Sequence, residues 1–195
     1  MRKVINIVLI LLTATLAYWL YSSIKDPIEF HSERDKRKDA VVSSLKKIQV
    51  AQDVYRMVRG DYANNFDSLV KVISTENIEI AKLEADPNDP TNQDLFVKTV
   101  TYRLASDSLY AILGSKFSLD SLRYIPFAGG KSFDIDADTM TYQNSLVNVV
   151  QVGTRYKDFM GVYADPRYKK YDKFYDPDKQ LKFGDMSSPN TNGNW

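Results

Sequence analysis

The 195-residue sequence contains no cysteine and only one histidine, His31. The missing thiols exclude disulfide bonds, thiolate metal sites, a cysteine nucleophile and lipoprotein-type acylation. A single histidine also excludes most metal sites and catalytic triads, which need several ligands or a positioned base. Serine, aspartate and glutamate are abundant, but no spacing places a nucleophile beside a base. The sequence therefore predicts a protein that is not an enzyme and has no evident small-molecule substrate.

The sequence also has no large excess of positive or negative charge. The 26 Lys and Arg residues nearly balance the 25 Asp and Glu residues and leave a formal net charge of +1. We therefore expect no nucleic-acid partner, because the chain lacks the basic field that would attract one. Without the apolar N-terminus and a polar C-terminal stretch, roughly 150 residues remain, which is the size of one ordinary domain.

A long apolar run lies near the N-terminus. Residues 4–24 contain no charged side chain and follow a short basic tail of residues 1–3. At about 1.5 Å of rise per residue, a helix of this length crosses the roughly 30 Å hydrocarbon core of a bilayer. Aromatic side chains gather at its far end, as in the interfacial belt of membrane proteins. The sequence predicts a transmembrane helix that is anchored in the lipid bilayer by Val4, Leu9, Leu12, Leu16, Trp19 and Tyr21.

A cleaved signal peptide is the alternative to an anchor. Arg2 and Lys3 precede the run, and Thr15-Leu16-Ala17 resembles a weak cleavage site. The run continues past Ala17 with aromatic residues, which favours an uncleaved anchor. Cations after the run would place the domain in the cytoplasm, whereas the very short basic tail resembles a signal-anchor whose N-terminus stays inside. We expect a single-pass protein of the bacterial inner membrane with its C-terminal domain in the periplasm.

The domain is predicted to begin after a charged juxtamembrane segment, residues 25–39. Pro27 is expected to break the helix there. The mixed charges predict a solvated helical stretch, and a lipid-headgroup contact through the basic residues is the alternative. An amphipathic helix then ends at Gly60, and its predicted buried face contains Val41, Leu45, Ile48, Ala51, Val54, Tyr55 and Val58. The folded domain covers residues 40–185, and residues 186–195 form a polar C-terminal loop.

Beyond Gly60 the pattern changes from helical to strand periodicity. A short second helix is capped by Asn64 or Asn65. Its apolar residues are Phe66, Leu69, Val70 and Ile73. Strands are predicted at residues 77–80, 96–104, 109–113, 146–152 and 179–185. Ala128-Gly129-Gly130 is predicted as the turn between strands at 122–127 and 131–135. Helices followed by an antiparallel meander predict an α+β fold.

The N-terminal half carries a pattern that resembles a known family. The residues that form this pattern are Leu45, Ile48, Ala51-Gln52, Tyr55, Gly60-Asp61-Tyr62, Phe66 and Leu69. The pattern is similar to the helix, Gly-x-Tyr turn and following short helix of type IV pilins and type II secretion pseudopilins, and residues 190–195 resemble pseudopilin C-terminal loops. The resemblance implies a membrane helix continuous with an amphipathic helix that packs on a small antiparallel sheet. It also implies a structural or accessory subunit of a trans-envelope assembly (secretion or pilus-like), with protein partners in a membrane complex.

Two features of the family are missing. Prepilins carry a glycine at the processing site and a glutamate near the start of the mature helix, whereas no glycine precedes residues 4–24 and no acidic residue lies within them. A carboxylate in lipid is costly and is retained for a partner amine, so its absence removes the usual docking chemistry. The predicted break at Pro27 also opposes a continuous long helix. We therefore expect a pilin-like fold that is neither processed nor polymerised.

Asp134, Asp136 and Asp138 are the candidate ligands for calcium. An EF-type calcium loop needs a glycine at position six and a glutamate at position twelve, which here are Thr139 and Ser145. On a strand, the three aspartates would share one solvated face. A surface strand is therefore favoured over calcium binding, and no cofactor is expected. The pseudopilin resemblance implies a further calcium candidate in the C-terminal loop, at Asp185 and Asn190 or Asn192.

Aromatic and cationic residues alternate near the C-terminus. The tyrosines concerned are Tyr163, Tyr168, Tyr171 and Tyr175. Such a pattern can bind single-stranded nucleic acid or glycan by stacking, and it equally describes a packed edge whose lysines stay in water. We favour a packed edge or a protein-interaction surface. The alternative function is a membrane-tethered periplasmic module that binds glycan or peptidoglycan.

Overall fold

The N-terminal helix α1 (Arg2–Arg59) is the longest element of the fold. A computed structural model describes residues 1–85, 96–114 and 116–195, and the side chains of 82–85 and 96–99 lie outside the description. At 1.5 Å per residue, α1 is about 87 Å long. It ends as predicted at Gly60, whose positive φ of 86° directs its N–H to the Arg56 carbonyl at 2.8 Å.

The predicted helix break at Pro27 is wrong, because α1 continues through that residue. Proline lacks an N–H and leaves the carbonyl four residues earlier without its helical partner. Both flanks nevertheless favour a helix, since one is a long apolar run and the other a packed amphipathic face. The freed carbonyl belongs to Ser23, which is exposed, so water can bond to it. One lost hydrogen bond therefore costs less than ending the helix.

Shorter helices and strands follow α1 in the described part of the chain. They are α2 (Phe66–Thr75), β1 (Asn77–Ala85), β2 (Phe96–Leu104), α3 (Ala105–Leu113), β3 (Asp134–Tyr142), β4 (Ser145–Arg155), α4 (Tyr156–Phe159) and β5 (Gln180–Gly184). Strands β1 and β2 pair with each other, and β3, β4 and β5 form a second antiparallel sheet with β4 in the centre. The α+β class is confirmed, but the single predicted meander is divided into two small sheets.

Local signals set two of these element ends. Of the two predicted caps, Asn65 begins α2, because its side-chain oxygen accepts a hydrogen bond from the Ser68 N–H at 2.7 Å. Gln143 and Asn144 connect β3 to β4 with positive φ angles of 47° and 63°. Positive φ at both positions gives a two-residue turn whose twist matches the flanking strands. This hairpin was not predicted, because the turn lacks the usual glycine.

The predicted strand at 109–113 is wrong, because those residues belong to α3. Ala105, Leu109 and Leu113 recur every four residues, and the first two are fully buried. A five-residue apolar run cannot distinguish a buried strand from a buried helix by periodicity alone. Here the residues before the run extend the helical repeat, and this makes the segment a helix.

The predicted strand at 122–127 is also wrong. It begins inside a 3₁₀ helix (Leu119–Arg123), and an isolated bridge between Tyr124 and Ser132 replaces the expected ladder. The predicted turn itself is present, since Gly129 and Gly130 both have positive φ angles. The chain thus reverses where glycine allows it, without two full strands around the turn.

The hydrophobic core surrounds the C-terminal half of α1. The predicted face of this helix is confirmed by five buried side chains, with Tyr55 and Val58 half-buried at its end. The same cluster contains Leu69 and Ile73 of α2, Leu109 of α3, and Val150, Val152, Leu181 and Phe183 of the second sheet. α1 therefore serves as the common support of both helices and this sheet.

One polar side chain is buried in the packed face of α1. Gln52 is 1% exposed, and its amide nitrogen donates to the Ala63 carbonyl at 2.9 Å. Its amide oxygen accepts from the Ala63 N–H, also at 2.9 Å. One side chain thereby satisfies both backbone groups of a buried residue. These bonds fix the connection between α1 and α2.

Candidate functional site

The N-terminal part of α1 leaves its apolar side chains uncovered. Each of the six predicted anchor residues is more than half exposed. Among the described residues, α1 is the one helix that is long and apolar enough to cross a membrane, and its most apolar stretch is entirely unburied. The hydroxyls of Thr13 and Thr15 donate to the carbonyls four residues earlier at 2.8 and 2.9 Å, so both are satisfied without water. These features fit a membrane anchor and a signal sequence alike.

The domain begins on α1 earlier than predicted, at Phe30. This ring is fully buried, although it lies in the segment expected to be solvated. Around it lie the four tyrosines of the predicted C-terminal surface, with ring centroids between 5.1 and 6.0 Å from the Phe30 centroid. The Tyr168 ring is nearly parallel to Phe30, at 5.2 Å and 8°. We call Phe30, Tyr163, Tyr168, Tyr171 and Tyr175 the aromatic cluster.

The aromatic cluster holds the C-terminal segment 161–175 against α1. Tyr175 is 3% exposed, and its hydroxyl donates to the Tyr163 carbonyl at 2.8 Å. Burial raises the pKa of Tyr175 to about 12, so this donor stays protonated at neutral pH. The other three tyrosines are half-buried. This packing fits the packed-edge interpretation, and a protein-interaction surface on the remaining exposed parts stays a prediction.

Two arginines of α1 join the same contact. Arg34 forms an ion pair with Asp172 of the C-terminal segment. Arg37 donates to the Phe159 carbonyl at 2.9 Å and to Glu33 at 3.1 Å. The hydrogen bond from Arg37 lowers the pKa of the Glu33 carboxyl. The predicted solvated stretch is therefore part of the folded domain over this range.

The sequence carries a signal for this contact. Phe30, Arg34, Arg37 and Val41 follow one another at intervals of four, three and four residues, which extends the buried stripe of α1 by three turns. Two of these residues, Arg34 and Arg37, are charged, so the repeat does not look like a buried helix face. Long arginine side chains can pack along an apolar face while their charged ends find partners, so charge alone does not predict solvation.

Two depressions lie beside the aromatic cluster and share Glu29 and Tyr163 in their linings. The first, the apolar groove, has a volume of about 840 Å³. Apolar and aromatic side chains form most of its surface, and polar groups lie along its domain side; the lining residues are Tyr21, Ile24, Ile28, Val162 and Tyr163, with Lys25, Glu29, Ser32, Glu33 and Arg37. The second, the polar pocket, has a volume of about 370 Å³. It is lined by Asp26, Glu29, Tyr163, Arg167, Tyr168, Lys170 and Tyr171.

Hydrogen bonds tie the two sides of the polar pocket together. The Tyr163 hydroxyl donates to Glu29 at 3.4 Å, and the Tyr171 hydroxyl donates to Asp26 at 3.5 Å. Burial and the nearby Glu29 carboxylate raise the pKa of Tyr163, which keeps its proton available for this bond. The pocket therefore places two carboxylates of α1 opposite a segment that carries cations.

The three candidate calcium ligands lie on one exposed face of β3, as the surface-strand interpretation expects. Asp134, Asp136 and Asp138 are all exposed and alternate with half-buried residues. In the C-terminal loop, the Asp185 carboxylate accepts hydrogen bonds from the Ser187 N–H and hydroxyl. Within the described residues, no group of three or more His, Cys, Asp and Glu side chains is arranged to hold a metal ion.

No protein-family model matches this chain, and neither a curated protein nor a solved structure matches it. Function is therefore inferred from the exposed half of α1, the aromatic cluster and the two depressions.

Proposed function

We propose that this protein is a non-enzymatic, single-pass protein of the bacterial inner membrane that presents its domain to the periplasm. Its role would be that of a pseudopilin-like structural or accessory subunit of a trans-envelope assembly. One observation carries the proposal: α1 is a single helix whose first part is exposed and apolar and whose second part is the support of the domain.

An unbroken helix matters because it fixes the domain relative to the bilayer. A flexible linker would let the domain turn freely, whereas a continuous helix transmits the direction of the span. The pilin resemblance implied this continuity, and the predicted break at Pro27 had opposed it. With α1 continuous, that objection no longer applies. The two small sheets still differ from the single sheet that the resemblance implies.

The missing carboxylate of the pilin helix affects how partners would be held. Residues 4–24 contain no acidic side chain that could pair with an amine in the membrane. Helix packing in the bilayer and contacts of the domain surface would supply the association instead. We therefore propose a subunit that joins an assembly without following the usual pilin polymerisation chemistry.

The alternative, a glycan-binding or peptidoglycan-binding module, has less support. Stacking on a sugar needs free aromatic faces. The rings that this function would use pack around Phe30, and Tyr175 is almost fully buried. In the same segment, Phe174 is 90% exposed and keeps a free face, and it offers one ring in place of the four that the tyrosines would have supplied.

Photo-crosslinking in intact cells tests the proposed assembly. A photoreactive residue at Leu12, in the middle of the span, should crosslink to defined membrane proteins, and one at Leu146 reports contacts of the domain. Intact mass of the extracted protein should include the residues before Ala17. A protein that is monomeric after extraction and crosslinks only to lipid would overturn the assembly role, and a mass without the apolar run would overturn the anchor.

Orientation needs a separate measurement. The chain has no cysteine of its own, so Leu146→Cys introduces a single thiol at an exposed position. A membrane-impermeant maleimide should label this thiol in intact spheroplasts. Labelling that occurs only after lysis would place the domain in the cytoplasm and contradict the proposal.

A further inference from the structure

We propose that the polar pocket binds the headgroup of a phospholipid that carries both a phosphate and a primary ammonium group, as phosphatidylethanolamine does, with one acyl chain in the apolar groove. This inference rests on the part of the proposed function that makes residues 4–24 a retained membrane span. It is independent of any protein assembly.

The polar pocket lies just beyond the end of the predicted span on α1, and this position is the first argument. Asp26 and Glu29 lie two and five residues beyond Ile24, which corresponds to about 3 and 7.5 Å along the helix axis. The headgroup layer on one side of a bilayer is about 5–7.5 Å thick, from the difference between the total and hydrocarbon thicknesses. If the span ends near Ile24, both carboxylates of the pocket lie at the level of the headgroups.

The charges of the lining are the second argument. Arg167 and Lys170 provide N–H donors for a phosphate, and each lies over a tyrosine ring of the cluster, at 5.2 and 4.5 Å from its centroid. Asp26 and Glu29 provide acceptors for an ammonium group. A pocket lined by both signs suits a zwitterionic ligand better than a simple anion, which the two carboxylates would repel.

These lining groups keep capacity for a ligand. The ion pair between Arg167 and Asp165 is long, at 3.7 Å, and a guanidinium group has five N–H donors. Glu29 accepts a weak bond from Tyr163, and Asp26 accepts bonds from Ser22 and Tyr171. A carboxylate has about four acceptor positions, so each still has room for an ammonium N–H.

Continuity with the apolar groove is the third argument. The groove shares Glu29 and Tyr163 with the polar pocket, and Tyr21 and Ile24 at the end of the predicted span also line it. Val162, 73% exposed, forms part of the opposite side. An acyl chain in this groove would leave the pocket directly toward the hydrocarbon core, and would cover apolar side chains that are otherwise exposed.

Native mass spectrometry of the full-length protein tests the inference. The protein is extracted into detergent with an equal mixture of phosphatidylethanolamine, phosphatidylcholine and phosphatidylglycerol, and the retained lipids are counted. Phosphatidylethanolamine should be retained in preference to the other two. The choline group has no N–H to donate to the carboxylates, and phosphatidylglycerol has no cation for them. Soluble glycerophosphoethanolamine in excess should not displace the lipid, because it lacks the acyl chain.

Matched variants identify the site. Replacing Arg167 and Lys170 together by alanine should reduce retention of phosphatidylethanolamine at least roughly tenfold, as expected for the loss of charged hydrogen bonds. Lys173→Ala removes an exposed cation of the same segment that does not line the pocket, and retention should not change. Glu29→Gln should reduce the preference for phosphatidylethanolamine over phosphatidylglycerol several-fold. Near-UV circular dichroism checks that the aromatic cluster stays packed in every variant.

Each contrary outcome has a distinct meaning. Equal retention of the three lipids, or an equal effect of Lys173→Ala, would overturn the headgroup site while leaving the anchor intact. Retention of phosphatidylglycerol alone would show a site for anionic lipid and overturn the zwitterionic assignment. Displacement by glycerophosphoethanolamine would show a soluble ligand. Release of the protein from membranes by alkaline carbonate would overturn both this inference and the anchor.

Discussion

Phe30→Ala is the substitution that most directly tests how the C-terminal segment is held on α1. The ring is fully buried and contacts four tyrosine rings of segment 161–175. Replacing it with a methyl group removes most of these contacts and leaves a cavity between the helix and the segment. The free energy of unfolding of the domain should therefore fall.

The size of the effect follows from burial and ring contacts. Phenylalanine-to-alanine changes in protein cores cost about 3–5 kcal/mol. Aromatic pairs contribute roughly 0.5–1.5 kcal/mol each beyond area burial, and here several are lost together. Because three of the four tyrosines are half-exposed, the segment can relax into part of the cavity. We therefore expect a loss of about 3 kcal/mol, near the lower end of the range.

Urea denaturation of the full-length protein in detergent, followed by far-UV circular dichroism, measures this loss. Met57→Ala is the matched control, since Met57 lies on the same helix, is 65% exposed and lines neither depression. The control should change stability by less than about 0.5 kcal/mol. Trypsin should also cleave the Phe30→Ala protein faster after Arg167 and Lys170, as the segment opens. Equal stability of the two variants would refute the role of the aromatic cluster.

Three further predictions concern single interactions. Gln52→Ala leaves both buried backbone groups of Ala63 without partners and should lower the free energy of unfolding by about 2–4 kcal/mol in urea titrations. Gly184→Ala should lower the free energy of unfolding by more than about 3 kcal/mol, because the added Cβ would lie 2.0 Å from the Val150 carbonyl oxygen of β4. Gly60→Ala is the control: Gly60 has a similar φ but open space around it, so the loss should be only about 1–2 kcal/mol. The folded-state pKa of Tyr175 is raised from 10.0 to about 12, so its contribution to stability is complete below pH 10 and is lost between pH 10 and 12, as measured by unfolding at several pH values.

The results that would contradict these predictions are specific. An unchanged unfolding midpoint for the Gln52 variant would mean that water replaces the lost amide. Equal costs for the two glycine variants would show that the strand pairing beside Gly184 shifts to accommodate a side chain. For Tyr175, the alkaline decline should become shallower in Tyr175→Phe, and an identical decline would assign it to other tyrosines. Absorbance at 295 nm reports tyrosinate formation directly.

Local chemistry made much of the fold predictable. The packed face of α1 is predictable because its apolar side chains repeat at helical spacing. The end of α1 is predictable because Gly60 takes the left-handed conformation that residues with a side chain avoid. The Asn65 cap acts within three residues of itself. Such interactions connect neighbours in the chain, so the sequence contains both partners side by side.

Errors arose where distant residues decided the outcome. Local rules predict a break at Pro27 and a strand at 109–113. Helical structure on both sides of Pro27, and a helical repeat that begins before residue 109, override these rules. The mixed charges of residues 25–39 predict a solvated stretch, but Phe30 within it is fully buried. Its burial depends on tyrosines more than 130 positions later, and their distances from it along the chain give no sign of the contact.

The sequence by itself determined that a helix of membrane-spanning length precedes an α+β domain, and that the chain has no thiol and no second histidine to join His31. These properties depend on composition and on short-range periodicity. Only the tertiary structure decided that α1 is unbroken, that the domain begins at Phe30, and that carboxylates of α1 face cations of segment 161–175 in one pocket. That pocket exists because burial of the aromatic cluster folds the end of the chain back onto its beginning, and such a contact arises from packing across the whole molecule.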